Sequence, residues 1–151
     1  MAELKSHAAK YFEVTMKMFE TQVDGTEKMV KKTAVVDALS FGEAENKAIE
    51  EFSCYSELQV VNINPAQYSE VFTSDDDGDD MFFKAKLEFI TIDERTEKEK
   101  RSKVMYLVQA KSIARALRYI DDVMGKTMID YDSVGVVATD IEDVYLHKSD
   151  S

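Results

Sequence analysis

Two short stretches of the chain fix its local order: Val36-Asp37-Ala38-Leu39-Ser40 and Val108-Gln109-Ala110-Lys111-Ser112. Each stretch ends an apolar run with a polar residue, an alanine, one further residue and a serine. An amphipathic segment follows the serine. Serine is a preferred N-cap because its hydroxyl accepts a hydrogen bond from an unpaired amide of the first helical turn. Each stretch therefore predicts the end of a strand and the start of a helix.

The segments that precede these two junctions predict paired strands. They are Tyr11–Phe19 with Met29–Ala38, and Phe82–Ile90 with Lys103–Ala110. Their apolar and polar side chains tend to alternate, most clearly in Phe82–Ile90, as in a strand with one buried face. Asp24-Gly25 predicts a tight hairpin because both residue types tolerate positive φ, whereas Asp93–Glu99 has no glycine and predicts a looser turn.

The segments that follow the two serines predict helices. Glu43, three residues after Ser40, completes a capping box, whereas Ser112 has Arg115 at that place and caps alone. Apolar residues at helical spacing form a stripe on each helix: Phe41, Ala44, Ala48, Ile49 and Phe52 on the first, and Ile113, Ala116, Leu117, Ile120, Val123 and Met124 on the second. Gly125 predicts the end of the second helix.

Two further strands are predicted after each helix, so both halves read β-β-α-β-β. These strands are Leu58–Ile63 and Tyr68–Phe72 in the first half, and Ser133–Ala138 and Ile141–Tyr145 in the second. The matching order predicts an internal duplication, with chance similarity of alternating strands as the alternative. The predicted fold class is α+β: two units that share one core, with a two-layer arrangement of an antiparallel sheet and two helices about a pseudo-two-fold axis.

The predicted domain organisation is a single domain over residues 10–147. It consists of the repeats 10–74 and 81–147, which are joined by an acidic loop at 75–80, and residues 1–9 and 148–151 are expected to be flexible tails. The loop carries five aspartates around Gly78, and their mutual repulsion predicts a solvated, mobile segment. An EF-hand pattern fails because Thr73 and Lys84 would occupy acidic positions, although a weak cation site in the loop stays open.

Composition excludes several classes of function. The chain has 151 residues and a net charge of −11, which disfavours nonspecific binding to DNA or to an anionic membrane. The single cysteine, Cys54, rules out an internal disulfide and fits a reducing compartment. Residues 1–10 lack the apolar run of a signal peptide, so a cytoplasmic location is expected.

No catalytic constellation is recognisable, and we expect that the protein is not an enzyme. The only histidines, His7 and His147, lie near the chain ends, which makes Cys54 more typical of a buried or half-buried structural thiol than of a nucleophile. Asp37, with Gln109 at the matched place, is typical of a strand-end residue that bonds backbone groups near a helix start. No catalytic residue, cofactor or metal ligand is therefore assigned.

Basic residues collect at the start of each second strand and form the candidate anion or nucleic-acid contacts. They are Lys28, Lys31 and Lys32 in the first half, and Lys98, Lys100, Arg101 and Lys103 in the second. Such basic rims could bind a phosphate backbone despite the net negative charge. The other interpretation, which we favour, is that the charges protect strand edges from pairing with other chains.

Three segments resemble a family of short uncharacterised proteins from gut bacteria and their phages, described as a domain of unknown function. They are Val36–Glu45, Lys84–Glu94 and Lys98–Arg101, and the resemblance covers Tyr11 to Tyr145. The family commonly begins with two aromatic residues, which Tyr11-Phe12 matches. The resemblance implies that the protein is intracellular and has an accessory role for a mobile element. It implies no catalytic residue and no cofactor.

The leading functional expectation is a non-enzymatic accessory binding protein of phage or prophage type. It would contact a host or phage protein through an exposed sheet edge or through the helix layer, and a homodimer is a further expectation. The alternative is a nucleic-acid or nucleotide-binding protein that uses the basic rims, including one that sequesters a signalling nucleotide. No membrane contact is expected.

Overall fold

The computed structural model describes the backbone of residues 4–7 and 9–146 and the side chains of 9–146. Nine strands and two helices lie in these ranges: β1 Leu4–His7, β2 Tyr11–Thr21, β3 Glu27–Asp37, α1 Phe41–Glu51, β4 Ser56–Ala66, β5 Glu70–Ser74, β6 Met81–Ile92, β7 Glu99–Ala110, α2 Ile113–Gly125, β8 Asp130–Ala138 and β9 Ile141–Tyr145. The described residues divide into two compact units, one of 4–7 with 68–139 and one of 9–67 with 140–146.

The unit of residues 9–67 and 140–146 is built on a four-stranded sheet in the order β4-β2-β3-β9. The hairpin between β2 and β3 closes where the Gln22 amide donates to the Thr26 carbonyl at 2.7 Å, with Gly25 at a φ of +86°. Alternate side chains of β2 and β3 meet Ala44, Ala48 and Phe52 of the α1 segment in one hydrophobic cluster. The period of two on the strands and the helical spacing on α1 place these apolar groups on facing surfaces.

The unit of residues 4–7 and 68–139 is built on a five-stranded sheet in the order β1-β5-β7-β6-β8. The β6–β7 hairpin turns through Asp93 and Lys98, whose backbone groups bond at 2.9 Å, and Glu97 adopts a φ of +56° there. Ala116, Ile120 and Met124 of α2 pack on the alternate side chains of β6 and β7 in a second hydrophobic cluster.

The mixed α+β class is confirmed, but the single antiparallel sheet is wrong. There are two sheets, each with one helix packed on it, and each sheet contains one parallel pair: β3 with β9, and β5 with β7. In both parallel pairs the two strands are separated by a long stretch of chain, because a parallel pair cannot be joined by a tight hairpin turn. Sequence alternation identifies a strand but carries no information about the direction of its neighbour.

Residues 4–7, which were expected in a flexible tail, form β1 and pair antiparallel with β5. β5 would otherwise present unpaired backbone groups at the edge of its sheet, and an added strand satisfies them. Residues 1–3, 8 and 147–151, including the predicted C-terminal tail and His147, lie outside the described residues.

The helix signals are largely confirmed. The Glu43 amide donates to Ser40 Oγ at 3.2 Å and the Arg115 amide donates to Ser112 Oγ at 3.1 Å, while α2 ends at Gly125. The Glu43 carboxylate accepts from the Leu39 amide instead of the amide of its own cap residue. The stripes are narrower than predicted, because Phe41, Ile49 and Ile113 are exposed, although the Phe41 ring still contacts Phe12 with ring centroids 5.0 Å apart.

Candidate functional site

The basic residues were the predicted contacts, and two of the seven are held by carboxylates. Lys32 lies 3.2 Å from Glu20 and 3.2 Å from Glu142, and its ammonium group lies over the Tyr55 ring at 5.3 Å. Partial burial alone would lower the pKa of Lys32, but the hydrogen bonds to both carboxylates outweigh burial and raise it. Lys32 thus joins β3 to the neighbouring strands.

Arg101 of β7 is held in the same way. Its guanidinium lies 2.7 Å from Asp132, 3.1 Å from Glu88 and 3.3 Å from Glu99. Hydrogen bonds to Asp132, Glu88 and Glu99 raise the pKa of Arg101. Because three carboxylates surround one guanidinium, this side of the hairpin is acidic, and a phosphate group would meet repulsion there.

The other five predicted contacts are exposed. Lys28, Lys31, Lys98, Lys100 and Lys103 all lie at the surface. Lys31 pairs in register with Lys17, which is also exposed. Like charges directly opposite each other destabilise a sheet, so Lys31 and Lys17, which was not among the predicted contacts, form a local positive patch on the surface.

Cys54 is exposed, so the expectation of a buried or half-buried thiol is wrong. It lies in the turn that follows α1, two residues past Phe52, the C-cap residue, whose side chain packs in the hydrophobic cluster. No side chain is described for His7 or His147, and no histidine partner can be placed beside Cys54. Gln109 does not bond a backbone group near a helix start as predicted: its Oε1 accepts from the amide of Ser74, at the end of β5, at 2.9 Å. The Asp37 backbone carbonyl accepts from Lys47 Nζ of α1.

The acidic loop is anchored to α2 by a buried aspartate. Asp79 is only 2% exposed, and its Oδ2 accepts from Ser74 Oγ and from the Tyr119 hydroxyl, each at 2.5 Å. Burial, and then the hydrogen bond to Asp79, raise the pKa of Tyr119. The solvated-loop interpretation is therefore wrong at Asp79. The predicted stripe omitted Tyr119, although Tyr119 lies three residues after Ala116 and packs in the same hydrophobic cluster.

Arg115 completes this anchor. Its Nε lies 2.9 Å from Asp79 Oδ1 and donates to the Tyr119 hydroxyl at 2.6 Å, and its terminal nitrogen lies 2.9 Å from Asp76. The positive charge of the Arg115 guanidinium offsets the repulsion between Asp76 and Asp79 and explains why they lie close together. Within residues 9–146, no group of three or more His, Cys, Asp or Glu side chains is placed to hold a metal ion.

The ends of the two sheets differ in how well they are protected against another strand. In the four-stranded sheet, β9 is short and carries Glu142 and Asp143, while β4 has two register shifts and contains Pro65. Charges, bulges and proline are the features by which natural proteins block edge pairing. Both ends of this sheet are therefore protected.

The free edge of β8 lacks most of these features. β8 lies at the end of the five-stranded sheet among the described residues, and Ser133–Ala138 contains no charge and no proline. Val134 is 52% exposed and Val137 is 58% exposed. An exposed, uncharged edge strand with β-branched side chains is a template for strand addition.

β4 and β8 are otherwise closely matched. The single register shift of β8 leaves the exposed Val134 unpaired, and one of the two shifts of β4 leaves the exposed Val61 unpaired in the same way. Pro65 of β4 pairs with Phe12, and Ala138 of β8 pairs with Phe83. Because Phe12 and Phe83 hold matched places in β2 and β6, the alanine of β8 stands where β4 has its proline.

The backbone of Ala138 points to the free edge of β8. The Thr139 amide donates to the Phe82 carbonyl at 3.0 Å, which makes Thr139 and Phe82 a hydrogen-bonded pair. Such pairs alternate with non-bonded pairs in an antiparallel ladder, so the N–H and C=O of Ala138 face away from β6. An added strand would use these two groups.

Sequence reasoning placed a strand at Ser133–Ala138 but did not identify it as an edge. The signal was the uncharged run between Asp132 and Asp140, which stands out in a chain in which 32% of residues are charged. Strand order decides which strand is terminal, and the alternation of side chains does not reveal it.

Comparison with known proteins identifies the family. Residues 10–147 match the family model described as "Domain of unknown function (DUF4494)". No curated protein and no solved structure matches the chain. Among the described residues, no helix combines the length and apolar character needed to cross a membrane. The chain belongs to the DUF4494 family.

Proposed function

We propose that this DUF4494 protein is a non-enzymatic binding protein that recognises a protein partner through strand addition at β8. The observation that carries the proposal is the free, uncharged edge at Ser133–Ala138 with its exposed valines. Main-chain hydrogen bonds to the edge would supply affinity, and side chains beside Val134 and Val137 would supply selectivity.

The occupant of this edge is a segment of another protein rather than a second copy of β8. Asp130, Asp132 and Asp140 flank the uncharged run, so antiparallel self-pairing centred on the run would bring aspartates of the two copies near each other. The net charge of −11 adds general repulsion between copies. A homodimer is an outcome that the test below distinguishes.

Photo-crosslinking tests the proposal. A photoreactive residue at position 137, in cells that carry the gene, is expected to crosslink to a defined extended segment of one partner. The substitution Ala138→Pro is expected to abolish that crosslink, because proline removes the outward N–H while the bonded pairs of the ladder stay intact. Pro65 shows that a proline fits the matched place in β4.

The matched controls use β4. A photoreactive residue at position 61 is expected to give no such crosslink, and Val61→Lys is expected to leave the position-137 crosslink unchanged, whereas Val134→Lys should weaken it. Crosslinks from position 137 to another copy of this chain would show that the edge forms a homodimer instead of binding a different protein. A crosslink that survives Ala138→Pro would contradict strand addition.

A second candidate function is binding of a nucleic acid or nucleotide. The exposed, register-paired Lys17 and Lys31 favour it, since an anion would relieve their repulsion. Lys17→Glu with Lys31→Glu should then abolish salt-sensitive binding of single-stranded DNA, RNA or cyclic nucleotides. Absence of such binding by the wild-type protein would leave the edge proposal ahead.

We further propose that the two halves arose by duplication and that the protein serves a phage or prophage in the cytoplasm. The matched valines at the bulges, the matched serine caps and the two parallel strands support duplication. The phage role rests on the family resemblance, and the cytoplasmic location rests on the single cysteine.

A further inference from the structure

A groove lies at the turn of the β6–β7 hairpin, next to the first residues of β8. It has a volume of about 640 Å3 and is lined by Ile90, Ile92, Glu97, Glu99, Asp130 and Tyr131. Ile90 and Ile92 lie on the face of β6 opposite Phe89, which packs on the hydrophobic cluster beneath α2, and Ile92 is 70% exposed. The groove is thus an apolar surface with a carboxylate rim.

Of the three carboxylates that line the groove, Glu99 has a basic partner and the other two have none among the described side chains. No hydrogen bond or ion pair involves the carboxylates of Glu97 and Asp130 among the described side chains. Arg101 contacts Glu99, but it is shared with Glu88 and Asp132. Lys100 pairs with Thr91, so strand alternation directs it to the face opposite Ile90 and Ile92.

The groove continues the free edge of β8. Asp130 and Tyr131 are the first two residues of β8 and also line the groove. β8 has nine residues, which corresponds to about 30 Å at the rise of an extended chain. A strand added along Ser133–Ala138 would therefore lead directly to Asp130 and the groove.

We infer that the β8 partner is an extended segment with an uncharged, β-branched middle and Lys or Arg at the end that lies beside Asp130. Its basic groups would meet Glu97 and Asp130, and the aliphatic stem of a lysine or arginine would cover Ile90 and Ile92. This inference rests on the proposed function, because strand addition brings the segment to the groove.

Selection from a random peptide display library tests the inference on the full chain. Wild-type protein is expected to enrich peptides with a β-branched core and basic residues at one end. A paired variant, Glu97→Gln with Asp130→Asn, should bind a selected peptide more weakly at low salt, by up to about fivefold for each carboxylate, and less so at high salt. Glu45→Gln with Asp122→Asn changes the net charge equally at exposed helix positions and should leave affinity unchanged.

The outcomes separate the two proposals. Peptides that need the edge, as judged by loss with Ala138→Pro, but that lack basic ends or ignore the Glu97 and Asp130 substitutions would overturn the groove inference alone. Basic peptides that bind regardless of Ala138→Pro would overturn strand addition. A selection that enriches no peptide would count against both.

Discussion

The edge strands β4 and β8 share a bulge and an exposed valine, but a proline blocks one of them and not the other. Pro65 and Ala138 occupy the matched place opposite Phe12 and Phe83. Pro65 removes a backbone donor from the edge of β4, which also has a second register shift, whereas Ala138 keeps its donor. The difference indicates that the two edges offer different backbone groups to an added strand, which is the basis of the binding proposal.

The helix starts show the same kind of divergence. Ser40 and Ser112 cap α1 and α2 alike, but Glu43 in α1 stands where α2 has Arg115. Glu43 remains local, 3.7 Å from Lys47 of its own helix, whereas Arg115 reaches Asp76 and Asp79 of the loop after β5. The second helix start therefore anchors the segment that leads to β6.

The largest expected effect tests this anchor. Asp79→Ala should lower the free energy of unfolding by about 3 kcal/mol, because it leaves the groups of Ser74, Tyr119 and Arg115 without their buried acceptor. Urea denaturation followed by circular dichroism measures the change. Asp76→Asn and Glu43→Gln, at exposed or half-buried partners, should each cost less than about 1 kcal/mol. Equal costs for all three would remove the distinction between the helix starts.

Substitutions in the turns of the two hairpins should change the free energy of unfolding by intermediate amounts and in opposite directions. Gly25→Ala should destabilise the protein by about 1 kcal/mol, because Gly25 has a φ of +86°. Glu97 adopts a φ of +56° without being glycine, so Glu97→Gly should stabilise the protein by about 0.5 kcal/mol after the entropy of glycine is subtracted.

Glu94→Gly is the control for the second hairpin. It lies in the same turn without a positive φ, and it should bring no gain in the midpoint of urea denaturation. A gain of equal size at Glu94 would show that Glu97 carries no backbone strain. Loss of stability in Glu97→Gly would mean that its carboxylate matters more than its backbone.

The smallest effect concerns a contact present in the second half alone. The Tyr131 hydroxyl donates to Asp121, and this hydrogen bond, with burial, raises the pKa of Tyr131 to about 12, whereas the matched residue of β4 is Leu58. Because the neutral phenol is favoured in the folded protein, this contribution is complete below pH 10 and is lost as the pH rises toward 12.

Tyrosinate absorbance during an alkaline titration measures this contact. Asp121→Asn should bring the ionisation of Tyr131 to lower pH and leave Tyr145 unchanged, since burial is the main cause that raises the pKa of Tyr145 to about 12. Tyr131→Phe should remove one of the late ionisations. A shift of both tyrosines in Asp121→Asn would indicate a general change of the fold.

Local signals in the sequence predicted most of the elements but not their partners. Ser40, Ser112, Gly25 and Gly125 act within a few residues, and their caps and turns were found where the sequence placed them. The parallel pairs of β5 with β7 and β9 with β3 depend on contacts between distant residues, which alternation does not encode.

The candidate site was predictable only as a type of surface. An exposed sheet edge was expected, and the uncharged run at Ser133–Ala138 was visible, but strand order alone identifies β8 as terminal. The basic residues were visible as well, yet the sequence did not show that Glu20 and Glu142 meet Lys32, or that Glu88 and Asp132 meet Arg101. Those carboxylates come from other strands.

The pairing of β9 with β3 has a consequence for biosynthesis. Thr33 pairs with Ile141, so the sheet that contains β2, β3 and β4 gains β9 only after the long intervening segment has been synthesised. Contacts between such distant residues form slowly, because a long loop must close first. Until then the outer side of β3 is unpaired on the ribosome, and a nascent chain that stalls before Ile141 would be a substrate for chaperones.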